Sequence, residues 1–171
     1  ELISLPEMTA TIDLLTLDVL NTMQTPAYLL GPEHFMKVAY ASLESCFQSG
    51  ISAQASKVFV THALLLCGAF NQFEQGLKFA ELAVQINDKH FSALRKIEVE
   101  FTKDVSVQHW SKHIRHSLKP LEHNFYQGIE CGNYEYAFHS ALFYCFYSFL
   151  AGTDLDKTNK IFIKFIQIME N

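Results

Sequence analysis

Hydrophobic residues recur every three or four positions along most of the chain. This spacing places them on one side of an α-helix, whereas a half-buried strand alternates apolar and polar residues at every second position. No run of about four to eight residues alternates in that way. The pattern therefore predicts an all-α fold.

Residues that end helices divide this pattern into eight segments. Pro26, Gly31 and Pro32 mark the first gap, and Gly50 marks the second. The predicted helices span residues 8–24, 32–48, 53–70, 72–87, 90–106, 109–131, 134–151 and 155–170. Because the connections are short, we expect sequential helices to pack as antiparallel neighbours.

Pro120 lies inside the predicted helix 109–131. A proline either kinks a continuous helix or occupies the first turn of a new one. A buried stripe at helical spacing runs through both sides of Pro120 and favours one kinked helix; it comprises Trp110, Ile114, Leu118, Leu121, Phe125 and Ile129. Regular pairing of helices favours a split at Pro120, and this alternative stays open.

Two helix junctions share a pattern that indicates internal repetition. The first contains Asn71, Phe73, Gly76 and Ala83, and the second contains Gly132, Tyr134 and Ala137. This is the spacing of a tetratricopeptide turn, in which an aromatic wedge precedes a small residue where two helices cross closely. The junctions lie 61 positions apart, less than twice the usual repeat of about 34 residues. We therefore predict an irregular tetratricopeptide-like α-solenoid of about eight antiparallel helices.

Length and charge restrict the class of protein. The 171 residues are about one domain's worth, and with 49% hydrophobic and 18% charged residues the chain is not disordered. We expect a single helical-repeat domain over 1–171, and the missing initiator Met suggests a part of a longer chain. Since the net charge of -5 repels a phosphate backbone, we expect no nucleic-acid partner.

The apolar stretches and the cysteines bear on location. The most apolar stretch, 137–151, is shorter than the roughly 20 residues that cross a bilayer. We interpret it as a helix packed on both sides by protein, and we expect no membrane partner. Four cysteines without a C-x-x-C pair lie in apolar periodic segments, which predicts small buried hydrophobes in a reducing, cytoplasmic compartment: Cys46, Cys67, Cys131 and Cys145.

Residues 64–86 and 109–152 carry a resemblance to a known family, most specifically at 109–110, 118–121, Gly128 and 132–137. The chain resembles the helical region of large bacterial sensor kinases. Those proteins carry a serine/threonine-kinase-like domain, an AAA/STAND-type ATPase, a tetratricopeptide-like region, a GAF sensor domain and a histidine kinase. The resemblance implies a non-catalytic regulatory and protein-interaction segment that couples the ATPase to downstream domains. Glu122 and Asn133 depart from the family pattern.

No catalytic or cofactor-binding motif is found in the sequence, so we expect no enzyme and no cofactor. His116 to Leu121 is similar to a histidine-kinase phosphoacceptor box, but Ser117 stands where the general base would be. His109, His113 and His116 recur at the spacing of one helix side. Because no fourth ligand accompanies them, we expect no metal site.

A basic face is the main candidate for partner binding. It consists of Lys112, His116, Lys119 and His123, opposite the buried stripe. Residues 89–119 hold seven Lys or Arg against three acids, whereas the rest of the chain holds six against fifteen. We expect a docking face for an acidic protein, with an ordinary solvated helix face as the alternative.

A rival function comes from the aromatic residues of 134–150. An α-solenoid with an aromatic-lined pocket would be a sensor of a small molecule or peptide. We expect such a pocket to be bordered by Tyr144, Tyr147 or Trp110. A deep pocket favours the sensor, and a shallow groove favours the protein-interaction segment.

Overall fold

A computed structural model describes residues 4–170, so the ends of the predicted domain 1–171 lie outside the described residues. Helices dominate the described chain, and no strand forms within it. One isolated parallel bridge joins Glu7 to Ile51. The prediction of an all-α fold is confirmed.

The helices follow the hydrophobic pattern closely in most of the chain. They are α1 (Thr11–Leu30), α2 (Pro32–Ser49), α3 (Ala55–Gly68), α4 (Phe73–Lys89), α5 (Ala93–Thr102), α6 (Arg115–Cys131), α7 (Tyr134–Leu150) and α8 (Leu155–Met169). A π-helix, Lys103–Val107, and a 3-10 helix, Gln108–Trp110, connect α5 to α6. Side chains of Ser92, Asn133 and Asp154 accept backbone N–H bonds and so begin α5, α7 and α8.

Helix α1 is longer than predicted and continues through Pro26 to Leu30. Tertiary contacts stabilise its last turn. Ala27 is buried, and the Tyr28 ring packs against the Phe35 ring of α2 with 5.5 Å between the ring centroids. The helix ends at Gly31, where φ is +125°. Only glycine adopts this conformation without strain, and Pro32 then begins α2.

The prediction of one kinked helix over 109–131 is wrong, because residues 109–114 are not α-helical. The alternative split at Pro120 is also wrong, since α6 passes through that residue. Trp110 does not continue the buried stripe: it is 46% exposed and stacks on Phe73 of α4 at 4.7 Å. Leu121 and Phe125 are buried as predicted.

Buried apolar side chains form two main clusters. The N-terminal cluster comprises Met8, Leu17, Leu43, Cys46, Ile51, Ala55, Val58, Phe59, Val60, Ala83, Ile86 and Val99. The C-terminal cluster comprises Val105, Leu121, Phe125, Ala137, Ala141, Tyr144, Tyr147 and Phe165. A small third cluster contains Ala63, Cys67, Ala80 and Val107. The π-helix therefore contributes Val105 to one cluster and Val107 to another.

One side of α7 is exposed, in contrast to the predicted packing on both sides. Tyr134, Phe138, Leu142 and Phe146 recur at every fourth position and are exposed. No helix in the described part of the chain is both long enough and apolar enough to cross a bilayer.

The four cysteines form no disulfide with one another. Cys46 and Cys67 are buried, as predicted, whereas Cys131 and Cys145 are half-buried. Burial raises the pKa of the Cys46 thiol to about 12 and also raises the pKa of Cys67 and of Cys145. These three thiols are therefore protonated at neutral pH and serve as apolar side chains.

Candidate functional site

Gly76 lies at a close crossing of α3 and α4. A β-carbon at this position would stand 2.3 Å from the Cys67 sulfur and 3.1 Å from the Ala63 carbonyl oxygen. Both distances are shorter than ordinary van der Waals contact, so any side chain here requires the Cys67 side chain or the α3 backbone to move. Ala83, on the same helix, is buried in the N-terminal cluster.

The second junction contains a close crossing that involves Gly128 as well as the predicted residues. A β-carbon on Gly128 would stand 2.8 Å from the β-carbon of Ala137. Gly132 ends α6 in the left-handed conformation, with φ +78°. Tyr134 is 56% exposed and does not act as a wedge. Gly128 precedes Gly132 by one helical turn, which is the sequence signal that could have identified it.

The residues of the predicted basic face are all exposed, but they do not share one helix. His116, Lys119 and His123 lie on α6, and Lys112 lies in the segment before it. The surrounding basic residues are largely engaged within the chain. Arg95 pairs with Asp18 and Glu98, Lys96 with Glu100, and Lys103 with Asp104, while Arg115 donates to the Ala151 carbonyl.

The three histidines of the predicted spacing do not line up on one helix, because α6 begins only at Arg115. His109 is half-buried, its ring lies 4.8 Å from Trp110, and burial lowers its pKa. His113 Nδ1 accepts a bond from the Arg115 backbone N–H at 3.2 Å. Across residues 4–170, no group of three or more His, Cys, Asp or Glu could hold a metal ion.

An open, mostly apolar groove of about 290 Å³ is one of the concave sites of the described chain. Tyr28 of α1 and Phe35 of α2 form one aromatic wall. Phe101 of α5 forms the other wall with Tyr136 and Phe143 of α7, at ring-centroid distances of 5.4 and 5.6 Å. The two walls thus combine residues of α1 and α2 with residues of α5 and α7, which lie much later in the sequence.

Two hydrogen-bonded polar side chains, Gln24 and Thr61, also line the groove. The Thr61 hydroxyl donates to Gln24 Oε1 at 2.8 Å, and Gln24 Nε2 donates to Asn21 Oδ1 at 3.1 Å. Asn21 in turn donates to the Gln54 carbonyl. Because these bonds connect α1 to α3, they fix the position of the first aromatic wall.

Lys57 of α3 brings a positive charge into the groove. Its ammonium lies 3.4 Å from Glu98 Oε2 and 5.9 Å from the centre of the Tyr136 ring. Burial and the carboxylates of Glu98 and Glu135 raise the pKa of the Tyr136 hydroxyl, so it is protonated at neutral pH. The groove can therefore bind an apolar group beside a fixed cation.

The π-helix forms one edge of the groove through Val105 and Ser106. Two hydrogen bonds hold it: the Tyr147 hydroxyl donates to the Val105 carbonyl at 2.8 Å, and Ser117 donates to the Asp104 carbonyl at 2.9 Å. Asp104 is 1% exposed, and burial raises the pKa of its carboxyl to about 6. Short π-helical segments occur frequently at functional sites.

The residues that we expected to line an aromatic pocket do not line the observed groove. Tyr144 and Tyr147 are buried in the C-terminal cluster, and Trp110 packs on Phe73. The groove instead uses residues on other sides of the same helices, including Tyr136 and Phe143. Sequence spacing could not select them, because aromatic residues occur all round α7.

The motifs that resemble the sensor kinases lie mostly in α3–α4 and in α6–α7. No family model, curated protein or solved structure matches the chain.

Proposed function

We propose that the chain is a non-catalytic protein-interaction segment whose groove binds a partner peptide through an aromatic or large aliphatic side chain. The observation that carries this proposal is that two aromatic walls line one groove, one from α1 and α2 and one from α5 and α7. Aromatic side chains contribute large apolar contact areas to binding sites. A planar or branched side chain inserted between the walls would contact both.

The open shape of the groove favours a protein segment over an enclosed metabolite. Small-molecule sites usually measure about 300 to 1,000 Å³ and bury most of the ligand. The present groove, at about 290 Å³, is near the lower limit and is open to solvent. Tyr28 at its rim is 65% exposed, and the next residue, Leu29, is 79% exposed. Large exposed apolar side chains beside a groove are typical of protein interaction sites.

We also propose a tetratricopeptide-like arrangement of antiparallel hairpins, α3 with α4 and α6 with α7. The close crossings at Gly76 and at Gly128 with Ala137 support it. On the resemblance of the sequence, the parent protein is a cytoplasmic sensor kinase, in which this segment couples an ATPase to sensor and kinase domains. The flanking sequence of the gene tests this context: ATPase motifs upstream and a histidine kinase downstream are expected.

Titration with short peptides tests the groove. Two probes are acetyl-Gly-Phe-Phe-Gly-amide and acetyl-Gly-Ser-Ser-Gly-amide, added to isotopically labelled protein and followed by amide chemical shifts. We expect the phenylalanine peptide to shift resonances of groove residues, because only it fills the space between the walls. The serine peptide should cause no saturable shift.

A matched pair of α7 variants supplies the control. Phe143→Ala removes part of a groove wall, whereas Phe149→Ala removes an exposed ring outside it. We expect the first to weaken binding at least fivefold and the second to change it less than twofold, with both variants folded by circular dichroism. Equal affinity of all three proteins would exclude the groove as the binding site.

A further inference from the structure

The cation in the groove points to the charge of the partner. Lys57 is the single Lys or Arg among the described lining residues, and its side chain is only 12% exposed. An ammonium that is largely removed from water needs acceptors or opposite charge to compensate for lost hydration. The neighbours of Lys57 therefore decide what this part of the groove can accept.

The carboxylate beside Lys57 is shared with a second cation. Glu98 Oε2 accepts a hydrogen bond from Arg95 at 2.9 Å, and Lys57 lies farther from the same oxygen, at 3.4 Å. Asp18 adds a second carboxylate, but it pairs with Arg95 on the outer side. Lys57 forms no hydrogen bond to another described residue. Its ammonium therefore retains donors for a ligand in the groove.

The other charged and polar groups at the groove indicate that a negatively charged group of a ligand would bind best at Lys57. Glu135 is exposed at the start of α7 and would repel an acid on its side of the groove. The Tyr136 ring lies beside Lys57, so a ligand cation at that ring would be repelled by the ammonium. His139 is the remaining titratable group of the wall. A carboxylate of the ligand near Lys57 would accept hydrogen bonds from the ammonium without displacing Arg95 from Glu98.

We propose that the groove recognises a peptide in which an acidic side chain adjoins the inserted aromatic or aliphatic residues, with the acid bound by Lys57. This inference rests on the proposed function and names the class of partner. Charge-assisted hydrogen bonds in partly desolvated sites are stronger than neutral ones. The acid would therefore contribute specificity, and the apolar residues would contribute most of the contact area.

Four peptides in two matched pairs test the inference: acetyl-Gly-Phe-Phe-Glu-Gly-amide and acetyl-Gly-Glu-Phe-Phe-Gly-amide, each with its glutamine counterpart. Of the two glutamate peptides, we expect the one with the higher affinity to bind at least fivefold more tightly than the glutamine peptide of the same residue order. Lys57→Met, which retains the alkyl chain, should reduce that preference to less than twofold. Lys57→Arg should keep it, because the positive charge remains.

Two further variants separate this contact from general electrostatics. Glu135→Gln removes a negative charge from the same groove and should leave the preference for glutamate unchanged or larger. Lys119→Met removes a distant exposed charge and should leave it unchanged. Equal binding of glutamate and glutamine peptides, or a preference that persists in Lys57→Met, would overturn the inference while leaving the proposed groove intact. Failure of all phenylalanine peptides to bind would instead contradict the proposed function.

Discussion

At the scale of single residues, two helical glycines differ in what a side chain would meet. An added β-carbon at Gly76 contacts α3 at 2.3 Å, whereas one at Gly68 has no neighbour within 4 Å. We expect Gly76→Ala to lower the free energy of unfolding by about 1–3 kcal/mol through overpacking. Gly68→Ala should leave it unchanged or raise it by up to about 1 kcal/mol, because alanine favours helix.

Urea unfolding of the two variants measures this difference. Ala137→Leu, at the second crossing, should also lower stability by about 1–3 kcal/mol, since Ala137 is fully buried against Gly128. If Gly76→Ala and Ala137→Leu both unfold at the same urea concentration as the unsubstituted protein, neither crossing is tight.

Asp104 predicts a pH dependence of stability. Burial raises the pKa of its carboxyl from 3.8 to about 6, although the Lys103 ammonium, 3.8 Å away, opposes this effect. The folded chain therefore keeps this proton to a higher pH than the unfolded chain. The stability linked to that proton is present below about pH 4 and is lost as the pH rises through about 6.

Asp104→Asn removes the ionisation and isolates its contribution. We compare the unfolding free energy of the variant with that of the unsubstituted protein at each pH. As the pH rises from 4 to 7.5, we expect this difference to change by about 1–3 kcal/mol in favour of the variant. Urea unfolding at both pH values measures the gain. If the difference between variant and parent is the same at the two pH values, Asp104 is not a protonated buried group.

Residues with a local structural role were the easiest to predict from the sequence. Gly76 and Ala137 could be identified because a tight helix crossing restricts side-chain size at fixed positions after a turn. The groove residues could not, because Lys57 and Tyr136 become neighbours only through the packing of α3 near α7. Lys112 illustrates a related failure, since its place on a helical wheel depended on a helix that does not form there.

At the scale of elements, the π-helix is the most irregular part of the fold. Its Val105 carbonyl accepts the buried Tyr147 hydroxyl bond from α7. Tyr147→Phe should lower the free energy of unfolding by about 1–2 kcal/mol, because the carbonyl loses its side-chain partner in a buried position. Thermal or urea unfolding of the variant measures the loss.

Tyr134→Phe is the matched control for that variant. The Tyr134 side chain is exposed at the start of α7, so we expect a change within about 0.5 kcal/mol. A loss of the same size in both variants would show that the hydroxyl bond to the π-helix contributes nothing specific.

Most helices were predictable, but the α5–α6 connection was not. The apolar periodicity of 109–131 continues through the connection, and periodicity alone does not show where Trp110 finds its contact. In the structure that contact is Phe73, on a helix more than thirty residues earlier. Pro26 was misinterpreted for a similar reason, because contacts with α2 compensate for a residue that is locally unfavourable in a helix.

At the scale of the whole molecule, the ion pairs of Lys96 and Lys103 lie within the basic segment 89–119, so the excess of positive charge in that segment remains in the fold. Lys112 and Lys119 stay exposed, so they test the basic face directly. We expect Lys112→Glu with Lys119→Glu to change stability by less than about 0.5 kcal/mol and to weaken association with a poly-glutamate peptide. Binding of poly-glutamate by the unsubstituted protein should weaken with added salt, because exposed charges are screened within about 10 Å.

Anisotropy of a labelled poly-glutamate peptide at low and high salt measures this association. His116→Gln with His123→Gln is the control, because it leaves both lysine charges of the basic face in place. Undiminished, salt-independent binding by the lysine variant would contradict a docking role for the basic face.

The division of the core into N-terminal and C-terminal clusters has a consequence for how the chain opens. Helix α3 packs in the first cluster and α7 in the second, and the π-helix contributes Val105 to the second and Val107 to the small third cluster, where it meets Ala63 and Cys67 of α3. Cooperative units of this kind open with their own free energies. Amide hydrogens of α3 and α7 should accordingly exchange with solvent at two distinct protection levels, and loosening the π-helix should widen the gap between them.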